Sequence, residues 1–335
     1  LAWDKDRRQT QASLDDSLAK SNALSREIGG LMREGKKDAA EAVKGKTAEL
    51  KEQSSDLKNR MHELEASIHD LLCTIPNAPH SDVVAGKSAE DNVETARVGD
   101  IPKLHDGAVP HWELADRYKL IDFELGSKVT GAGFPFYRGK GAKLQRGLIQ
   151  MFLDYADQAG YEEFIPPFMI NAESGFGTGQ LPDKEGQMYH AVADDLFLIP
   201  TGEVPLTNIY RDVLVKEQEL PIKLCGYSPC FRREAGSYGK DVRGLNRLHQ
   251  FDKVEIVQID HPERSYATLD TMVDHIKGLL EALELPYRIL RLCGGDMGFT
   301  SAITYDFEVY SAAQELWLEV SSVSNFETYQ ANRLK

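Results

Sequence analysis

Cysteine is scarce: Cys73, Cys225, Cys230 and Cys293 are the only four, and no two of them form a C-x-x-C pair. That argues against a zinc ribbon or a disulfide scaffold and leaves isolated buried thiols in a reducing cytoplasm. The nine histidines contain neither H-E-x-x-H nor H-x-x-x-H, so no histidine metal site and no zinc are expected. No apolar run approaches the ~18–20 residues of a membrane span, so no membrane partner is expected. The opening residues, Leu1 to Arg8, lack the apolar stretch of a signal peptide; they also lack Met, and the true beginning is expected upstream. Basic residues are outnumbered, 39 against 53, and the net charge of −14 argues against a generic basic surface for nucleic acid. The usual nucleotide loops are missing too. There is no G-x-x-x-x-G-K-[ST], and neither Gly131-Ala132-Gly133 nor Gly175-Phe176-Gly177-Thr178-Gly179 has the G-x-G-x-x-G spacing. If a nucleotide binds, side chains must hold its phosphates.

What is present is a globular composition, 41% hydrophobic over 335 residues, enough for two or three domains. Residues 1–75 stand apart, with no proline and Trp3 as their one aromatic residue. Leu14, Leu18, Ser21, Ser25, Ile28 and Met32 recur at alternating spacings of four and three. Beyond Glu34–Asp38, Val43, Leu50, Leu57, Leu64 and Leu71 follow every seventh residue, with Thr47, Ser54, Met61 and Ile68 interleaved. Two such series joined by a polar turn predict an antiparallel helical hairpin, a coiled-coil arm. This segment carries 13 basic and 14 acidic residues, so the acidity resides in the rest of the chain.

Residues 76–109 show little periodicity and read as a linker. From 110 onwards the pattern predicts a helix over Leu144–Ala159, stopped by Gly160, then strands at Tyr161–Pro167, Leu196–Pro200 and Lys253–Ile259. A helix over Ser265–Leu283 and strands at Tyr287–Leu292, Thr304–Tyr310 and Trp317–Val320 follow. Strands in short-loop succession with irregularly placed helices favour an α+β fold around an antiparallel sheet.

One segment has the chemistry for phosphate. Phe231-Arg232-Arg233-Glu234-Ala235-Gly236 offers arginines, whose planar forks match phosphate oxygens. A glycine- and charge-rich stretch separates it from Arg247-Leu248-His249-Gln250-Phe251-Asp252-Lys253-Val254-Glu255. Antiparallel strands flanking that loop would bring Arg232, Phe251 and Glu255 to one sheet face: a cation for phosphate, a ring for a base, a carboxylate for an amine. A salt-bridged hairpin accounts for the same spacing.

These two segments resemble motif 2 of the class II aminoacyl-tRNA synthetases, in the wording of the seryl-tRNA synthetase family of bacterial type. Gly177-Thr178-Gly179-Gln180-Leu181-Pro182, Ile199-Pro200-Thr201-Gly202-Glu203-Val204-Pro205 and Glu319-Val320-Ser321-Ser322-Val323-Ser324-Asn325-Phe326 resemble the same family, in order. The resemblance implies that ATP and L-serine are substrates, with Mg²⁺ between the phosphates. It places Arg232 on the α-phosphate with Arg233 beside it, Glu234 at the adenine end, Phe251 beneath the adenine and the Leu248 backbone close by. It makes Glu319 and Ser322 the Mg²⁺ ligands, with Val320 and Ser321 in the same ATP-binding strand, and Arg232, Glu319 and Ser322 the catalytic set. Thr201, Gly202, Glu203 and Glu255 would bind serine. The stretch from Leu144 to Pro167 resembles motif 1, which implies a homodimer. The arm implies tRNA(Ser), and also tRNA(Sec), as partner, with Lys36, Lys37, Lys44, Lys46, Lys51 and Lys58 as candidate phosphate contacts.

Three departures accompany the resemblance. Gly202 stands where the family usually has Ala, a change expected to be tolerated. The first stretch of the family's N-terminal domain is missing. The chain also stops at Lys335, ahead of the family's motif 3, so a fragment of a longer enzyme is expected. Two other readings keep the same fold: an amino-acid ligase for a carrier protein, against which the arm argues, and a non-catalytic RNA-binding or scaffold relative.

Overall fold

The proline-free opening forms two long helices, α1 (Ala2–Arg33) and α2 (Lys37–Leu72), in a computed structural model that describes residues 2–183, 186–234 and 243–335. Gly35 turns the chain between them at φ +77°, where a side chain would be strained. The Ser17 and Ser54 hydroxyls meet at 2.9 Å, which fixes the helices as antiparallel neighbours. The seam largely follows the two expected series, with Ser17 and Ala40 added to it. Leu14, Ser17 and Ser21 are buried on α1, and Ala40, Thr47, Ser54, Met61 and Leu64 on α2, while Leu18, Met32 and Leu71 are exposed. Small hydroxyl residues can take the seam because their polar atoms are satisfied within it. Thr47 donates to the Val43 carbonyl at 2.9 Å and Ser54 to that of Leu50 at 2.8 Å. On α1 the expected Leu18, Ser25 and Met32 fall outside the seam, whereas on α2 the expected register holds.

The chain divides into two compact units between Pro76 and Asn77. The second unit begins with β1 (Val93–Val98), α3 (His111–Arg117), β2 (Ile121–Asp122), α4 (Phe123–Val129), β3 (Phe136–Tyr137) and α5 (Lys140–Gln158). Short elements follow: β4 (Glu162–Glu163), β5 (Met169–Ile170), α6 (Ala172–Gly177), β6 (His190–Ala191), β7 (Leu196–Leu198) and α7 (Glu203–Thr207). Long strands then dominate, β8 (Ile222–Phe231) and β9 (Gln250–Ile259), then α8 (Ser265–Ala282), β10 (Tyr287–Arg291), β11 (Ile303–Ser311), β12 (Leu316–Asn325) and α9 (Tyr329–Leu334). The stretch read as a linker thus contributes a strand. β1 carries only two half-buried positions, Val93 and Ala96, separated by a bulge, so no period-two signal marks it. The strand expected over Tyr161–Pro167 is confined to Glu162–Glu163.

Two sheets carry many of the candidate site residues. One has the order β1-β10-β11-β12, all antiparallel; the other has β4 parallel to β8 and β8 antiparallel to β9. Each sheet is apolar on one face. In the first, Tyr287, Ile289, Ile303, Phe307 and Val323 pack against Leu269, Val273 and Leu280 of α8. In the second, Cys225, Tyr227, Val254 and Ile256 pack on Leu153 and Ala156 of α5 and on Tyr161. The face left over is polar in the first sheet; in the second, Ser228, Lys253 and Glu255 stand on it among Ile222, Leu224, Phe251, Val257 and Ile259. Phe307 is fully buried at the centre of the α8 cluster, so Phe307→Ala should cost about 3–5 kcal/mol, read as a lower denaturant midpoint. All four cysteines are buried and free of disulfides.

Candidate active site

Cross-strand partners share a sheet face, and on β8 and β9 that rule builds a pocket floor. Gly226 lies opposite Glu255, Ser228 opposite Lys253 and Cys230 opposite Phe251. Every functional side chain of β9 therefore faces a small residue, which leaves room above the sheet. Gly226 is required on its own account, since a Cβ there would fall 2.6 Å from the Phe164 carbonyl oxygen. Over this floor a cavity of about 1220 Å³ opens, lined among others by Thr201, Glu203, Arg232, Lys253, Glu255 and Ser322. Among the described residues β9 and β12 are edge strands of their sheets, and the cavity reaches both.

The loop after β7 brings Thr201, Gly202 and Glu203 onto the floor. The Thr201 hydroxyl donates to Glu255 Oε2 at 2.7 Å and accepts from Lys253 Nζ at 2.9 Å and from the Glu203 amide at 3.2 Å. Lys253 Nζ also lies 2.7 Å from Glu255 Oε2. Glu203, the first residue of α7, accepts from Gln330 Nε2 of α9 at 2.6 Å. A Cβ on Gly202 would come within 3.1 Å of Glu255 Cβ and 3.2 Å of Ser228 Oγ, so alanine needs a small outward shift of its neighbours.

Burial and the neighbouring Glu255 carboxylate push Glu203 up to about 7, so its proton is held near neutrality. Burial works to lower Lys253, but the Glu255 carboxylate outweighs it and holds the ammonium above its ordinary value. The Glu203 shift has a stability consequence. A carboxyl whose folded value lies above its unfolded 4.5 contributes most below that value and loses its contribution as pH rises towards about 7. Glu203→Gln, which cannot ionise, should therefore gain stability over the unsubstituted protein between pH 5 and pH 8, by about 2 kcal/mol at the upper end. Denaturant unfolding at both pH values checks it; a difference independent of pH would contradict the buried-carboxyl assignment.

Arg232 follows β8 directly. Its amide donates to the His249 carbonyl at 3.0 Å, its Nε to the Pro200 carbonyl at 3.4 Å, and its guanidinium lies 5.0 Å over the Phe251 ring. Arg232, Phe251 and Glu255 do converge, with the difference that Arg232 reaches over the floor from beyond the strand. Arg233 lies over Tyr189 at 6.0 Å, and the Tyr189 hydroxyl is hydrogen-bonded to His249 Nδ1 at 2.8 Å. Glu234 accepts from Arg247 at 3.0 Å, so the hairpin stem is salt-bridged. Leu248 is buried beside it. Ala235, Gly236 and the residues on to Val242 lie outside the described residues.

Glu319 and Ser322 are three apart in sequence, a spacing that puts residues of a regular strand on opposite faces. A bulge reverses this. Asp306 pairs with Ser322 and Phe307 with Ser321, but Glu308 then pairs with Glu319, skipping Val320. Asp306 and Glu308 share a face of β11, so their partners Ser322 and Glu319 share it too. Ser321 is on the opposite face with Phe307, and Val320, at the bulge, is half exposed. Burial raises Glu319 above the ordinary carboxylate range against the pull of Arg232, and burial together with Glu319 pushes Asp306 up to about 7. Asp306 Oδ1 is buried without a hydrogen-bond partner. A hard-oxygen pair, Glu319 and Ser322, above an unsatisfied buried carboxylate oxygen fits a divalent cation that takes its remaining ligands from phosphates and water.

Two residues of the pocket were not singled out by sequence reasoning. Lys253 alternates with Phe251 and Glu255 along β9, so the same period-two pattern could have found it. Gln330 reaches Glu203 from 127 positions away, and no local pattern announces it.

Comparison with known proteins gives this geometry a family. Residues 1–79 match the seryl-tRNA synthetase N-terminal domain, and residues 189–335 the tRNA synthetase class II core domain (G, H, P, S and T). The chain is similar to the serine–tRNA ligase of Salinibacter ruber, 53% identical over 333 residues, covering 99% of this chain and 78% of that protein. The serine–tRNA ligase of Bacillus subtilis is 47% identical, again over 99% of this chain and 78% of the relative. The structure is similar to that of a seryl-tRNA synthetase from Pyrococcus horikoshii complexed with ATP, with a TM-score of 0.93 and 30% identity, covering 100% of this chain and 79% of that one. A pocket with Glu203, Glu255 and an arginine, an antiparallel sheet and an N-terminal helical hairpin thus meet relatives 47–53% identical over 99% of the chain: the chain belongs to the seryl-tRNA synthetase family of class II aminoacyl-tRNA synthetases.

Proposed function

We propose that the protein activates L-serine with ATP to seryl-adenylate and pyrophosphate, then passes the seryl group to the 3′ end of tRNA(Ser). The observation that carries the reading is that one cavity is lined by Thr201, Glu203 and Glu255 together with Arg232 and Ser322. In the first step a serine carboxylate oxygen attacks the α-phosphorus, and the bond to the bridging oxygen breaks as pyrophosphate leaves with the electron pair. Such chemistry needs alignment and charge neutralisation more than a protein nucleophile. Arg232 supplies a fixed cation for the α-phosphate oxygens, and Phe251 offers its ring to the adenine. Glu319 and Ser322 would hold Mg²⁺, which when bound neutralises phosphate charge.

Glu203 and Glu255 select the amino acid. Each has one oxygen engaged by the protein, by Gln330 and by Thr201 with Lys253 respectively. Their other oxygens can take the substrate's ammonium and hydroxyl groups. A site that hydrogen-bonds a hydroxyl rejects substrates that lack it, because buried partners are then left unpaired. Homodimerisation through α5 and the segment after it is supported by exposed apolar side chains there, Leu144 at 60% and Ile165 at 87%. The arm's exposed lysines are its contact with the tRNA backbone, since A-form RNA is read chiefly through shape and phosphates. Aminoacylation of tRNA(Ser) with labelled serine by the full-length protein tests the reading. Adenylate formation without charging would favour the carrier-protein ligase instead.

A further inference from the structure

Lys253 stands at the centre of the serine end, against both Thr201 and Glu255. The Thr201 hydroxyl has one hydrogen and two lone pairs, and all three are engaged: the hydrogen by Glu255 Oε2, the lone pairs by Lys253 Nζ and the Glu203 amide. Because Lys253 can only donate, its contact forces the Thr201 hydrogen to point at Glu255. Glu255 Oε2 in turn receives both Thr201 and Lys253, at 2.7 Å each, whereas Oε1 has no partner among the described residues. The three groups close a triangle that leaves one oxygen of the carboxylate free. Ser228 faces Lys253 across the hairpin, and that small side chain gives the ammonium its space.

We propose that Lys253 is a positioning residue for the amino-acid substrate: it locks Glu255 through Oε2 and so presents Oε1 to serine. This role rests on the serine-activating function proposed for the pocket. The lysine also pairs with the charge of Glu255, one of the two carboxyl groups that select the amino acid. Thr201 then acts chiefly through Glu255, because its own hydrogen-bonding capacity is filled.

The test is serine-dependent ATP–pyrophosphate exchange by the full-length protein, with serine and ATP varied separately. Lys253→Met keeps the length of the side chain and removes its donors and charge. It should raise the KM for serine about 10–100-fold, the worth of charged hydrogen bonds, while the KM for ATP stays within about twofold. Lys253→Arg, which can still donate to both oxygens, should recover most of that loss. If the Met variant does not fold, as judged by thermal melting, Lys253→Gln is read by the same split. An unchanged KM for serine in the Met or Gln variant overturns the proposal, as does an equal rise for both substrates or a failure of Arg to rescue. Absence of serine-dependent exchange in the unsubstituted protein would instead overturn the function itself, so the two failures are distinct.

Discussion

Arg232→Ala should lower adenylate formation by about 10³-fold or more while the protein stays folded. The size follows from what is removed. A preorganised guanidinium aimed at developing phosphate charge, inside a cavity that limits water, is worth several kcal/mol at the transition state. Among the described residues the neighbouring arginines are otherwise engaged: Arg233 lies over Tyr189, and Arg247 is held by Glu234 at 3.0 Å. The structural cost is small by comparison. The contacts of Arg232 are a long hydrogen bond to the Pro200 carbonyl, 3.4 Å, and the face of Phe251, so truncation should change stability by only about 1 kcal/mol. Single-turnover adenylate formation beside a thermal melt separates the two effects. Near-normal exchange would remove Arg232 from the phosphate.

The second large effect concerns the arm. Removing residues 1–75 should leave serine activation within about twofold and raise the KM for tRNA by about 10²-fold. The division of the chain at Pro76 makes the first half of that statement a structural one, since the activation residues all lie in the second unit. The other half rests on charge placement. Lys37, Lys44, Lys51 and Lys58 recur every seventh residue of α2, so they run along one side with a drift of about 20° per repeat. At 1.5 Å per residue the row is about 30 Å long, a span suited to successive phosphates. Lys44 is partly spent on Glu41 at 2.8 Å, as Lys36 is on Glu34. Neutralising Lys37, Lys51 and Lys58 together should weaken tRNA binding and flatten its salt dependence, by about 0.7–0.9 in slope for each phosphate no longer neutralised. Charging that is indifferent to the deletion would take the arm out of recognition.

Much of this was legible in the sequence, for reasons that differ from element to element. The hairpin of β8 and β9 announced itself because alternation puts Phe251 and Glu255 on one face, and α5 and α8 because each shows apolar residues at helical spacing. The arm was legible as two helices, and on α2 the interleaved series of Thr47, Ser54 and Met61 with Leu64 does form the seam; on α1 Ser17 was missed, because its hydrogen bond to Ser54 is nothing a hydrophobic pattern registers. β1 escaped for want of buried positions. The pairing of Glu319 with Ser322 came from resemblance alone; the bulge that makes it work depends on the register with β11, which exists only once the strands are paired. Gln330 is a matter of tertiary contact. The net charge of −14 misled as a guide to partners, because it averages an acidic catalytic unit with an arm whose 13 basic and 14 acidic residues nearly cancel. Phosphate recognition needs a local row of cations, and a chain-wide sum is blind to one.

The central claim is that the pocket of Thr201, Glu203 and Glu255 reads serine next to the phosphate site. It is tested most directly by ATP–pyrophosphate exchange with the full-length protein, run in parallel with serine and alanine. Exchange is expected with serine, and a kcat/KM for alanine lower by roughly 10⁴-fold, because the missing hydroxyl leaves buried carboxylate oxygens unpaired. Exchange that proceeds equally with alanine, or without any amino acid, would contradict it.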